Sequence, residues 1–206
     1  MPPSIRTVFF DFGGVVARLD GEEIGRLEDK YGLPDGGLLD ALYEIPEWKA
    51  VRLGRISEKD WLQAVGRHLD ELAGRPIPGI RRDWPRVWRG LDQDVVGLLK
   101  RLRGRYRVGL ISNARESLDD ELANHHGISD LFDVVVNSAR VGLAKPDPRI
   151  YLLAAERARS QPSHCLHIDD LIRNVWGARE AGFQAIHYED DYPSLERELR
   201  SLGVQW

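Results

Sequence analysis

Four short stretches of this chain carry residue types that could do chemistry together. The first is Val8-Phe9-Phe10-Asp11-Phe12-Gly13-Gly14-Val15-Val16: an apolar run, one carboxylate and two glycines. The second is Ser112-Asn113, the third Gly142-Leu143-Ala144-Lys145-Pro146-Asp147-Pro148, and the fourth Asp169-Asp170. A carboxylate at the tip of a buried strand is either a nucleophile or a metal ligand, or both. Ser112 and Asn113 can hydrogen-bond an anionic oxygen, and Lys145 brings a cation in a Pro-rich loop at a helix start. Acids from two stretches around one cation and one hydroxyl suggest a magnesium ion and a phosphate sharing one pocket. Magnesium is held by one or two carboxylates together with waters and phosphate oxygens. Asp11 would attack phosphorus in line while Ser112, Lys145 and the metal stabilise the developing charge.

Each residue also has a plainer reading. Asp11 could cap the turn that follows it. Ser112 and Lys145, taken singly, could be solvated, and Asp169-Asp170 could cap the next helix, a role compatible with metal binding. Trp48, Trp61, Trp84 and Trp88 could line a ligand pocket, but bulky residues packing a small helical bundle is the better expectation. His125-His126, His164 and His167 lack a metal-ligand spacing and are expected on the surface or at helix ends. Cys165 is expected to be an inert small hydrophobe in a buried strand.

The elements that must position these groups follow from periodicity. The apolar run closed by Gly13-Gly14 reads as a strand over 5–10, with Asp11 at its carboxyl end, where open α/β sheets place their ligands. From about Asp20 to Gly90 the pattern is wholly helical. Ser57 caps a helix carrying Trp61, Leu62, Val65, Leu69 and Leu72 on one face. After Leu91, helices alternate with strands. Strands are expected over 108–111, 132–136, 165–168 and 185–187, with helices over 95–102, 115–126, 150–159, around Val175 and Ala178, and over 194–202. Alternation of this kind predicts a doubly wound parallel sheet, an α/β fold, with a helical insertion leaving the sheet beside Asp11.

Composition limits the alternatives. The chain has 206 residues, 42% hydrophobic and 30% charged, which is enough to bury a real core. A net charge of -4 gives no reason to expect nucleic acid or an anionic membrane as partner. The single cysteine rules out an intramolecular disulfide. Met1-Pro2-Pro3 running straight into a strand leaves no room for a signal peptide, and no apolar run reaches membrane-spanning length, so a cytoplasmic protein is the default. No feature speaks to oligomeric state.

The ordered set of motifs resembles the haloacid dehalogenase (HAD) superfamily, and the resemblance spans essentially the whole chain. It rests on Asp11-Phe12-Gly13-Gly14-Val15, Ser112-Asn113, Lys145-Pro146-Asp147-Pro148 and Asp169-Asp170, with Asn174 and the 177–182 stretch behind them. The resemblance implies a Rossmann-like core over 1–19 and 91–206 with a small helical cap over 20–90. It implies Asp11 as nucleophile and metal ligand, Ser112, Asn113 and Lys145 as phosphate-binding groups, and magnesium held by Asp11, the Gly13 carbonyl and Asp170. Asp169 is then a ligand through water or the holder of Lys145.

One departure bears on activity. Phosphatases of the family usually carry a second aspartate, the general acid and base, where this chain has Gly13, and such a donor is worth about 10²–10⁴-fold. Three readings follow. A phosphatase could rely on activated leaving groups, water or another acid such as Asp20. A dehalogenase needs no acid to release halide. A binding protein could have lost catalysis. The favoured expectation is a magnesium-dependent phosphatase acting on a small phosphorylated metabolite, possibly a sugar phosphate, because Gly-Gly occurs in members regarded as sugar-phosphate phosphatases and because the metal carboxylates are retained. Arg52, Arg55 and Trp48 are candidate cap contacts.

Overall fold

The apolar run forms strand β1 (Thr7–Phe10), and all four of its residues are buried. A strand covered on both faces belongs in a parallel sheet flanked by helices. The computed structural model describes residues 4–206; the expectation about Met1-Pro2-Pro3 lies outside the described residues. The other strands are β2 (Ala17–Leu19), β3 (Trp88–Leu91), β4 (Arg107–Ser112), β5 (Val134–Asn137), β6 (Cys165–Asp169) and β7 (Gln184–His187). Five of them form one parallel sheet in the order β5-β4-β1-β6-β7, with β1 at the centre.

Period-two alternation sends Val8 and Phe10 to one face and Phe9 to the other. On the first face they join Val95, Leu98, Leu99 and Leu102 of helix Gln93–Leu102, and Leu195 and Leu199 of helix Tyr192–Ser201. On the second, Phe9 joins Ile150, Tyr151 and Ala154 of helix Pro148–Arg157, and Val175 and Ala178 of helix Ile172–Glu180. Gly109 in β4 is required by this packing: a Cβ there would overlap the Phe9 ring.

Two expectations are corrected. The stretch from 20 to 90 is not wholly helical, because its end folds back as β3 and pairs antiparallel with β2. Strands of three and four residues are too short to show a period-two signature. Between β2 and β3 lie helices Gly21–Tyr31, Gly37–Tyr43, Pro46–Val51 and Glu58–Leu72 and shorter turns. They enclose a hydrophobic cluster of their own, including Leu27, Leu38, Trp61, Val65 and Leu69. The helix expected over 115–126 is instead one α-turn, Leu118–Asp120, continued by a wide π-turn, Glu121–His125. Such turns occur often at functional sites. No described helix is long and apolar enough to cross a membrane.

Candidate active site

The sheet brings the four motifs together at the carboxyl ends of its strands. Phe10 pairs with Ile168 in β6 and with Leu110 in β4, so Asp11 emerges beside Asp169 and within reach of Ser112. The Asp11 N–H donates to the Ile168 carbonyl at 2.9 Å, which extends the ladder one residue past the strand. Asn113 serves a role that its sequence position did not disclose. Its Oδ1 accepts from the Lys145 N–H at 2.8 Å and its Nδ2 donates to the Lys145 carbonyl at 2.9 Å. The amide therefore clamps the backbone of the loop that carries Lys145. From the other side, helix Ile172–Glu180 packs against Pro146 through Gly177, where a Cβ would overlap the Pro146 carbonyl.

Lys145 is buried and stands between two carboxylates, 2.9 Å from Asp11 Oδ1 and 2.6 Å from Asp169 Oδ2. Burial alone would lower its pKa, but Asp11 and Asp169 outweigh burial and hold the ammonium charged. Asp169 is saturated. Its Oδ2 also meets His167 Nε2 at 2.9 Å, and its Oδ1 accepts from the Leu171 N–H at 3.0 Å and Asn174 Nδ2 at 2.8 Å. Burial opposes its charge, yet Lys145 and His167 hold its pKa well below the usual carboxylate range. His167 is fully buried, against expectation, because residues two apart on a strand share a face and this one faces Asp169. That spacing was the available signal for it.

Asp11 and Asp170 sit differently. Burial, then Asp169 and Asp170, push the Asp11 carboxyl up to about 7 despite Lys145, and burial with Asp169 pushes Asp170 up to about 6. Carboxylate oxygens of Asp11, Asp169 and Asp170 lie within 4.8 Å of one another. Asp170 Oδ1 is buried and has no hydrogen-bond partner. Three carboxylates against one ammonium leave an excess of negative charge that a dication matches, and an orphaned buried oxygen is a ready ligand. Gly14, at φ 80°, is needed for this approach, since a Cβ there would overlap the Asp170 carboxylate. The residues fit a magnesium ion. Gly13 is not constrained in the same way: a Cβ there would meet only Trp88, at 3.8 Å.

Above these groups opens a cavity of about 720 Å³. Asp11, Gly13, Ser112, Asn113 and Asp170 line its floor, and Trp48, Arg52, Trp61, Trp84 and Trp88 line its roof. The tryptophans therefore do more than pack the helical cluster. His125, exposed at the end of its turn as expected, and the half-buried His126 also line the cavity, and the His126 ring lies 5.6 Å from that of Phe12. Arg55 is exposed and is not among the described lining residues. Asp20 caps helix Gly21–Tyr31 by accepting from the Glu22 and Glu23 N–H groups, each at 3.1 Å, and does not line the cavity. Cys165 is buried in β6, as expected.

A family model described as haloacid dehalogenase-like hydrolase matches residues 5–182. A phosphatase of Mycobacterium tuberculosis is 30% identical over 98% of this chain and 96% of its own length. D-ribitol-5-phosphate phosphatase of Bacteroides thetaiotaomicron is 25% identical over 90% of this chain and 93% of its own. Acyl-CoA dehydrogenase family member 10 of mouse is 27% identical over 97% of this chain, which spans 19% of that longer protein. Among solved structures, a variant of a HAD family enzyme from Bacteroides thetaiotaomicron, in complex with magnesium and inorganic phosphate, superposes with a TM-score of 0.71. It is 22% identical, and the match covers 93% of this chain and 99% of that one.

Proposed function

The chain belongs to the haloacid dehalogenase-like hydrolase family, and from that premise we propose that it is a magnesium-dependent phosphatase of small phosphorylated metabolites. The observation that carries the reading is the carboxylate triad with Lys145 between two of its members and an unpartnered oxygen on Asp170. The names of the Mycobacterium and Bacteroides relatives and the magnesium and phosphate bound to the structural neighbour support it. A dehalogenase would have no evident need for a third carboxylate with an open oxygen.

Asp11, Asp170 and the Gly13 carbonyl would hold the magnesium, whose charge would neutralise phosphate oxygens as the transition state develops. A carboxylate oxygen of Asp11 attacks phosphorus, the bond from phosphorus to the ester oxygen breaks, and the alcohol leaves with a proton taken from solvent. Water then hydrolyses the aspartyl phosphate and restores the carboxylate. Lys145 opposes the protonation that burial favours at Asp11 and offers its ammonium to the transferring group, while Ser112 donates to a phosphate oxygen. Asp169 orients Lys145 and is not a direct ligand. Residues 20–90 form a cap on a core made of 1–19 and 91–206, and the cap supplies Trp48 and Arg52 to the substrate. The buried free thiol of Cys165 suits a reducing cytoplasm, and the acidic balance suits a small-molecule partner over nucleic acid or membrane.

The test is steady-state hydrolysis of p-nitrophenyl phosphate, acetyl phosphate and a panel of sugar phosphates, with and without magnesium. Turnover is expected to vanish on chelation, return with magnesium, and be lost in Asp11→Asn. Turnover that survives both treatments would remove the reading.

A further inference from the structure

The cavity is large and aromatic for a site that handles only small polyols. Its roof includes Trp48, Trp61, Trp84 and Trp88, joined by Tyr43 and Leu42. The rings are held against one another: Tyr43 meets Trp48 edge-on with centroids 5.2 Å apart, and Trp48 lies 5.8 Å from Trp61. Rings braced in this way present faces and edges to a ligand at little entropic cost. A volume of about 720 Å³ lies within the roughly 300–1,000 Å³ of pockets that bury drug-sized ligands. Two donors in this wall are unmet. Trp61 Nε1 and Arg52 Nε are both buried and have no hydrogen-bond partner. An indole N–H and a guanidinium N–H can only donate, so each calls for an acceptor, which a ligand supplies once the wall shifts enough to open these covered atoms to it. Burial and the neighbouring Arg173 also lower the Arg52 pKa, against the pull of Glu44, so the guanidinium is disfavoured where it stands and gains from a further acceptor.

We propose that the substrate is a phosphomonoester whose leaving group is a bulky apolar body bearing a hydrogen-bond acceptor, seated against the four indoles with the acceptor at Trp61 and Arg52. The inference rests on the phosphatase reading and narrows it. The Trp88 ring stands beside Gly13 at the scissile end of the cavity, 3.8 Å from where a Cβ of residue 13 would lie. Sugar phosphates, whose hydroxyls can accept from either donor, would leave the aromatic surface wet.

The test compares phosphate esters whose leaving groups are all alcohols of similar basicity, so that intrinsic reactivity does not set the order. Naphthylethyl and decyl phosphates, and a naphthylethyl ester bearing a ketone, are assayed beside glycerol 3-phosphate and ribitol 5-phosphate on the magnesium-loaded protein. The expected result is a kcat/KM at least about tenfold higher for the apolar esters than for the polyol esters, from burial of one ring system. The ketone is expected to add a further few-fold. Trp88→Leu, at a position 40% exposed, is expected to shrink the apolar preference. Trp61→Phe, which keeps a ring and removes the donor, is expected to bring the ratio of kcat/KM for the ketone ester over its parent ester down to about one, whatever it does to both. Equal or better turnover of the polyol esters overturns the inference and leaves the phosphatase reading standing. Failure to hydrolyse any of these esters, or the anhydride acetyl phosphate, overturns both.

Discussion

At the scale of single residues, the charge balance around Asp11 makes metal binding and proton binding compete. Burial raises Asp11 to about 7 and Asp170 to about 6, so both carry protons in the metal-free protein when the pH is below those values. A dication must displace them. Magnesium affinity is therefore expected to rise with pH up to about 7 and level off above it, with protons released on binding near pH 6 and almost none near pH 8. Calorimetry in buffers of different ionisation enthalpy reads this directly, and a proton count of zero at the lower pH would contradict it. Gly13 gives a second prediction. The nearest atom to a Cβ there is Trp88 Cη2 at 3.8 Å, and its φ is not positive, so an aspartate is accommodated. Gly13→Asp is expected to raise kcat for alkyl phosphates by about tenfold or more, within the range credited to a placed acid, and to change acetyl phosphate little. A flat response across leaving groups would show that a donor at this position cannot reach the ester oxygen. The place of Asp11 at a strand tip was legible in the sequence because an apolar run followed by glycines announces a strand end. The job of Asn113 was not, since an amide beside a serine gives no sign that its partner is a backbone 32 residues away.

At the scale of elements, close approach between helix and loop sets the position of Lys145. Gly177 lets helix Ile172–Glu180 touch Pro146, and any side chain there pushes the loop outward. Gly177→Ala is expected to cost about 1–3 kcal/mol, as overpacking does, and to lower kcat about tenfold or more by moving the ammonium off Asp11. Gly25 is the contrast. It lies within helix Gly21–Tyr31 and a Cβ there would meet nothing within 4 Å. Gly25→Ala is expected to stabilise by about 0.4–1 kcal/mol with kcat unchanged, since it only restricts the unfolded chain. Urea titration with parallel assays separates the two, and equal effects would refute the packing argument. The same contrast explains what could be read from the sequence. Helices with a capping Ser57 or Asp92 and a regular apolar face were legible, as were strands buried on both sides. The β2–β3 ribbon was not, because its register is fixed by its neighbours: the Asp20 N–H donates to Val87, the Asp92 N–H donates to Val16, and Arg18 pairs with Asp92 and Asp190. The wide turn at Glu121–His125 likewise has no periodic signature, yet it aims two histidines at the cavity.

At the scale of the molecule, the hydrophobic interior divides into three clusters. One fills the residues between 24 and 87, and the sheet has its own on each face. They meet through polar contacts such as the Ser117 N–H donating to Glu58 at 2.8 Å and the Arg115 guanidinium near the same carboxylate. Polar joints of this kind are weak beside the cores they connect. The helical segment should then open without the sheet, which is what a lid over Asp11 needs to admit substrate and release product. Leu69 tests the division. It is fully buried in the helical cluster, and Leu69→Ala is expected to cost about 2–5 kcal/mol. If the segment is a unit of its own, amides in helices Gly21–Tyr31 and Glu58–Leu72 will exchange at least about thirty-fold faster in the variant. Amides in β1, β4 and β6 will keep their protection. Uniform acceleration across both sets would mean one cooperative body, and closure over the site would have to come from side chains in the cavity wall instead of from the segment as a whole.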